Sequence, residues 1–150
     1  MKIAIGSDHA GYNLKNHLRD MLREEGYDVQ DLGTHSPEAA DYPDLAARVA
    51  CAVTTGQAER GVLCCGTGVG VSMAANKING IRAAAVSEPV SARLARSHND
   101  ANVVCMGERI IGPEMADDIV KVFLETPFSN GERHQRRIAK ISALEGGECE

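Results

Sequence analysis

Arg60-Gly61-Val62-Leu63-Cys64-Cys65-Gly66-Thr67-Gly68-Val69-Gly70 is the stretch on which the fold turns. Its first half, Arg60–Cys65, is apolar nearly throughout, as expected of a central strand covered on both faces. Its second half is a glycine loop, which lets the backbone turn sharply into a helix over Gly68–Lys77. A buried strand running through a tight loop into a helix is half of a βαβ unit.

The same alternation extends in both directions. Toward the N-terminus, Lys2–Gly6 reads as a strand and Asn13–Glu25 as a helix, with Leu14, Leu18, Met21 and Leu22 at helical spacing and Gly26 as its stop. Tyr27–Leu32 is a second strand and Gly33–Tyr42 a loop. Pro43–Thr55 is a helix with Pro at its start and Gly56 past its end. Toward the C-terminus follow a strand Arg82–Val86, a helix Pro89–Ser97, a strand Ala101–Met106 and helices Pro113–Leu124 and Glu132–Leu144. Strands separated by helices specify a parallel sheet with right-handed crossovers. The expectation is an α/β fold: one three-layer α/β/α, Rossmann-like domain over residues 1–150, with a five-stranded parallel sheet and a short tail after the last helix.

The bulk properties set limits. Aromatic residues make up 3% of the 150-residue chain and Trp is absent, so the core must be built from Ala, Val, Ile and Leu. The net charge of -5 argues against general nucleic-acid binding, which needs a basic footprint. No apolar run reaches transmembrane length, and no signal-peptide pattern opens the chain. Five cysteines, at 51, 64, 65, 105 and 149, lack paired metal spacing. Neither disulfides nor a metal is expected, and a reducing cytoplasm is the expected setting.

In open parallel sheets ligands bind at the carboxyl ends of the strands. Ser7-Asp8-His9-Ala10-Gly11 follows the first strand, the Cys65 loop the third, Ser87-Glu88 the fourth and Gly107-Glu108-Arg109 the fifth. His98-Asn99, just before the fifth strand, is counted with them. Arg133 and Arg137, four apart on the last helix, project from one face and suit a phosphate; Arg136 lies about 100° round. The alternative for this charge run is a solvated helix face.

For the glycine loop, three readings compete. Walker A fails for want of Gly-Lys-Ser/Thr. A cysteine phosphatase needs an arginine where this chain has Val71. The dinucleotide fingerprint is not matched in spacing, although Glu88 follows at a suitable distance. What remains is a thiol at the mouth of an anion-holding loop, where a helix N-terminus favours the thiolate. Cys65 then acts as a base, with Thr67 and the amides of Gly66, Gly68, Val69 and Gly70 holding an oxyanion. The alternative is that Cys65 is a small buried hydrophobe. Cys64, on the opposite face of its strand, is read that way, as are Cys51 and Cys105, with Cys149 in the exposed tail.

Ser7-Asp8-His9-Ala10-Gly11, Asp41-Tyr42-Pro43, Cys65-Gly66-Thr67-Gly68-Val69-Gly70, Ala75-Asn76-Lys77, Gly80-Ile81-Arg82-Ala83, Ser97-His98-Asn99-Asp100-Ala101-Asn102 and Arg133-His134-Gln135 together resemble ribose-5-phosphate isomerase type B from end to end. The resemblance implies interconversion of D-ribose 5-phosphate and D-ribulose 5-phosphate without metal or cofactor, within the pentose phosphate pathway. It implies Cys65 as the base at C2, His98 as the group that opens the ring and Thr67 beside the enediolate. Asp8 and Asn99 would bind sugar hydroxyls, Tyr42 would line the pocket, and His9, Arg109, Arg133 and Arg137 would bind phosphate. It further implies strand order 2-1-3-5-4, where the pattern itself leaves 2-1-3-4-5 open. It also implies a homodimer or tetramer with shared sites, to which the partner contributes His98, Asn99 and Arg109. Galactose-6-phosphate and allose-6-phosphate isomerases are the near alternatives, and a nucleotide-binding regulatory module is the alternative of another class.

Overall fold

A computed structural model describes residues 1–146. Its strands are β1 (Lys2–Ser7), β2 (Asp28–Asp31), β3 (Arg60–Cys65), β4 (Ala83–Ala85) and β5 (Val103–Gly107). The helices are α1 (Tyr12–Glu24), α2 (Tyr42–Thr54), α3 (Val69–Ala75), α4 (Pro89–Asn99), α5 (Pro113–Glu125) and α6 (Glu132–Ala143), with a 3-10 turn at His9–Gly11.

All strand pairings are parallel, in the order β2-β1-β3-β5-β4. The order left open by the pattern is thus decided: β5 lies inside and β4 at the edge. The physical reason is burial. Every residue of β5 is buried, whereas the three alanines of β4 are half-buried or exposed and bury little apolar surface anywhere.

The pleat divides the core in two. Ile3, Ile5, Val62, Val104 and Met106 face α1, α4 and α5 through Leu14, Leu18, Leu22, Ala92, Ile119 and Phe123. Ala4, Leu63, Cys65, Val103 and Cys105 face α2 and α3 through Ala46, Val49, Ala50, Val71 and Ala75. Alternate residues of one strand therefore serve opposite layers, as period-two geometry requires. Small alanines on α2 let that helix lie close to the sheet. Helix α6 stands outside these layers: none of its residues is buried, and it packs along α4.

The connection preceding a parallel strand sits at the sheet's amino edge, and the one following it at the carboxyl edge. Helix α4 starts after β4 and ends directly before β5, so His98 and Asn99 lie at the amino edge. They are not with Cys65. The expectation that His98 shares an edge with Cys65 is corrected here: two elements that flank β5 on opposite sides are separated by its length.

Burial also corrects one cysteine. Cys64 and Cys105 are buried as expected, but Cys51 is exposed on the outer face of α2. Its neighbours Ala50 and Ala52 take the inward positions. Cys149 lies outside the described residues.

Candidate active site

A shallow cleft opens at the carboxyl ends of β1 and β3. It is lined by Asp8, His9, Ala10, Tyr42, Cys65, Gly66, Thr67, Gly70 and Arg109. Eight of these nine are positions singled out by the sequence; Ala10 is the addition.

Cys65 closes β3 and is 5% exposed, so its sulfur is reached only through the cleft. The backbone N–H of Gly68 donates to Sγ at 3.0 Å. Gly68 can do this because it holds φ +80°, a left-handed conformation that glycine adopts without penalty. The N–H of Val69 donates to Thr67 Oγ1 at 3.3 Å. The amides of Gly68 and Val69 thus serve the loop's own side chains. This narrows the expected oxyanion donors to Gly66, Thr67 and Gly70.

Cys64, one residue earlier, lies in the opposite layer. Burial pushes its thiol well above the ordinary range, with Cys65 adding to the effect, and it stays a neutral core residue. Two adjacent cysteines thereby face opposite layers from strand alternation alone.

Asp8 is buried, and its Oδ1 accepts from the N–H groups of Ala10 and Gly11 at 3.0 and 3.1 Å. One oxygen caps the turn, so Oδ2 is the one left to face the cleft. His9 Nδ1 accepts from the N–H of Ala40 at 3.3 Å. A backbone N–H can only donate, so the neutral ring carries its proton on Nε2, ready to donate. The Tyr42 ring lies against Gly70, where an added Cβ would come within 2.9 Å of it.

Arg109 spreads over Gly66, its Nη1 3.2 Å from where a Cβ would stand. It arrives on the loop after β5, whose backbone is tied to the Cys65 loop: Glu108 N–H donates to Cys65 O and Arg109 N–H to Gly66 O. Arg109 therefore borders the cleft of its own chain, where the resemblance had assigned it to the partner. Glu108 accepts from Leu14 N–H and Asn13 Nδ2, both at 3.0 Å, and so caps α1.

Beneath the Gly33–Tyr42 loop lies a pair that sequence reading missed. Lys15 is fully buried and its Nζ meets Asp31 Oδ2 at 2.6 Å. Asp31 Oδ1 accepts from Gly33 N–H, and Gly33 O accepts from Ser7 N–H. Burial opposes the charge on Asp31, but bonds from Lys15 and Gly33 outweigh it and hold its pKa below the ordinary value. A lone lysine in a helical pattern carries no signal of this; the first turn of α1 simply faces the sheet there.

The remaining predicted residues are elsewhere. His98, Asn99, Arg133 and Arg137 do not line this cleft. The His98 ring stacks on His134 of α6, centroids 4.4 Å apart. Arg133, Arg136 and Arg137 are all exposed. Glu88, the residue behind the dinucleotide reading, accepts from Val90 and Ser91 N–H at 2.6 and 2.7 Å and caps α4. That reading loses its acidic residue. Among the described residues no cluster of metal-ligating side chains occurs, and no helix is long and apolar enough to cross a membrane.

Comparison with known proteins agrees with this picture. The Ribose/Galactose Isomerase family profile matches residues 3–141. Ribose-5-phosphate isomerase B of Escherichia coli (strain K12) is 50% identical over 144 residues, 96% of each chain. D-erythrulose-4-phosphate isomerase of Pectobacterium atrosepticum is 43% identical over 133 residues, 87% of each chain. The structure of Clostridium thermocellum ribose-5-phosphate isomerase B superposes with a TM-score of 0.95 at 51% identity, covering 97% of each chain. A parallel 2-1-3-5-4 sheet, a cleft built on a cysteine and a glycine loop, and a match along nearly the whole length lead to one conclusion: the chain belongs to the ribose/galactose isomerase family and is an isomerase.

Proposed function

We propose that the chain interconverts D-ribose 5-phosphate and D-ribulose 5-phosphate, with Cys65 as the carbon base and with His98 supplied by a second copy of the chain. The observation that carries this is the Cys65 sulfur at the floor of the cleft, with the Gly68 N–H directed at it.

The closed sugar opens first. His98 of the partner subunit relays the proton from the O1 hydroxyl to O4 as the C1–O4 bond breaks, leaving an aldehyde. The Cys65 thiolate then takes the proton from C2, and the electron pair moves to form C1=C2 with negative charge on O1. Thr67 and the amides of Gly66 and Gly70 hold that charge. Cys65 then returns its proton to C1 while the C2 hydroxyl proton passes to O1, giving the ketose. No electrons enter or leave, so the reaction requires no redox cofactor.

Asp8 Oδ2 and Asn99 of the partner subunit bind sugar hydroxyls. His9 Nε2–H and Arg109 from one chain, with Arg133 and Arg137 of the partner subunit, hold the phosphate. Topology supports the two-copy arrangement. Cys65 and His98 lie at opposite edges of one sheet, so a single chain cannot apply both to one sugar. Exposed Tyr42, Val69 and Met73 beside the cleft supply apolar surface for the second copy.

Mixing two dead variants tests this. Cys65→Ala and His98→Gln, each inactive on ribose 5-phosphate, are unfolded together and refolded as a mixture. Random pairing in a two-fold dimer restores about a quarter of wild-type activity, because half the dimers carry one intact site of two. A mixture no more active than its parts defeats the shared-site reading. Full activity of Cys65→Ala alone defeats the mechanism.

A further inference from the structure

Around the residue after the His98-Asn99 pair lies an ion-pair network that the catalytic scheme above does not use. Asp100 ends α4 at φ 46°, ψ 43°. Its carboxylate bridges two arginines: Arg96 Nη1 donates to Oδ1 at 2.7 Å and Arg82 Nη2 to Oδ2 at 3.2 Å. Arg82 also grips the backbone. Its Nη2 donates to Asp100 O at 2.9 Å, and its Nε reaches Asn99 O at 3.0 Å and Asp100 O at 3.1 Å. Arg96 is 2% exposed, lies over the Phe123 ring and donates to Ala101 O at 2.6 Å. The Arg82 segment is fixed in turn by Asn102, whose Oδ1 accepts from Arg82 N–H and whose Nδ2 donates to Gly80 O.

Ending a helix needs only one residue that tolerates the left-handed conformation, and Asn or Gly would serve. Here a buried arginine and a forked one hold three consecutive carbonyls, at Asn99, Asp100 and Ala101. The side chains of His98 and Asn99, in contrast, are exposed and make no contact with their own chain's cleft. A rigid backbone beneath projecting polar side chains is the arrangement that presents groups to a site elsewhere at low entropic cost. The His98 ring is steadied separately: it stacks on His134, whose Nδ1 pairs with Ser129 Oγ at 2.7 Å, and Ser129 N–H donates to Ser97 O.

We infer that Arg82, Arg96 and Asp100 are positioning residues for ring opening: they hold the chain end that presents His98 and Asn99 to the partner's cleft. This rests on the role of His98 proposed above. It goes further in assigning a reaction step to three residues that touch neither the cleft nor the sugar.

Two substrate forms separate positioning from general damage. Ribose 5-phosphate is a closed furanose and needs opening. Ribulose 5-phosphate has its C5 oxygen phosphorylated, cannot close a five-membered ring onto C2, and presents an open chain. Exchange of its C1 proton with deuterated solvent therefore requires the Cys65 side of the site and not His98. The variants are Asp100→Asn, which keeps shape and tolerance of positive φ while removing the charge, and Arg82→Lys, which keeps the charge and removes the fork. Arg82 is 20% exposed, so its variant retains the fold even where Asp100→Asn does not.

For both variants, kcat on ribose 5-phosphate falls about tenfold with KM nearly unchanged, while C1 exchange of ribulose 5-phosphate falls less than about twofold. Equal losses in the two assays, or no loss in either, overturn the inference. His98→Gln run alongside separates the two failures. If His98→Gln shows no difference between the assays, the reading of His98 is wrong. If it does and the clamp variants do not, His98 stands and the clamp assignment falls.

Discussion

Gly68 donates its backbone N–H to the sulfur of Cys65 at 3.0 Å, and it does so from a left-handed conformation at φ +80°. The donor and the sulfur are three residues apart, so the loop that turns the chain from β3 into α3 also directs an N–H at the thiol.

Gly68→Ala tests that coupling. An alanine there is strained in φ, and its Cβ would lie 3.0 Å from the Met106 carbonyl carbon, which is backbone and cannot step aside. The expected loss is about 1–3 kcal/mol of stability, read from urea midpoints. Turnover falls further than stability explains, because relaxing the loop withdraws the N–H from the sulfur. A variant with normal kcat would show that this amide is not needed.

The thiols divide by location. In a Cys149→Ser background, iodoacetamide is expected to label Cys51 first, since it alone of the described cysteines is exposed. Cys65 follows, and ribulose 5-phosphate or inorganic phosphate in the cleft protects it. Cys64 and Cys105 stay unlabelled until the protein unfolds, because burial raises both thiols and suppresses the thiolate. Peptide mass spectrometry after timed labelling gives the order.

Lys15→Met removes one partner of a buried ion pair and leaves Asp31, 9% exposed in its side chain, with Arg19 at 3.2 Å. The loss is expected to be about 3 kcal/mol. The pair also gives a pH signature. The folded pKa of Asp31 is depressed, so its contribution is complete above the unfolded value of about 4 and is lost as pH falls through the lower folded value. Wild type should therefore lose more stability between pH 7 and pH 3 than Asp31→Asn does. Parallel loss in the two proteins would contradict the assignment.

Arg137→Gln separates phosphate binding from chemistry. Removing one charge-assisted contact raises KM for ribose 5-phosphate and the inhibition constant of inorganic phosphate together, each about tenfold, with kcat nearly unchanged. A fall in kcat at constant KM would place Arg137 nearer the reacting carbons.

Much of this was readable along the chain. The strand and helix pattern identified the α/β class, and the Cys65 loop identified the cleft, because both depend on local periodicity and on glycine. Residues that follow a strand in a parallel sheet share an edge, so Asp8, Cys65 and Arg109 could be grouped without coordinates. The same shortcut failed for His98. It stands before its strand, and counting proximity in sequence as proximity in space moved it to the wrong edge.

The amino-acid sequence by itself determined which chemically capable residues follow each strand and the period on which each strand and helix repeats. Only the tertiary structure decided that β5 lies inside β4, that Cys64 and Cys65 serve opposite layers, that Lys15 meets Asp31, and that Arg82, Arg96 and Asp100 converge beneath His98. Those outcomes depend on which surfaces lose water together and which buried charges find partners. Both are properties of contacts between segments far apart in the chain, which no local pattern encodes.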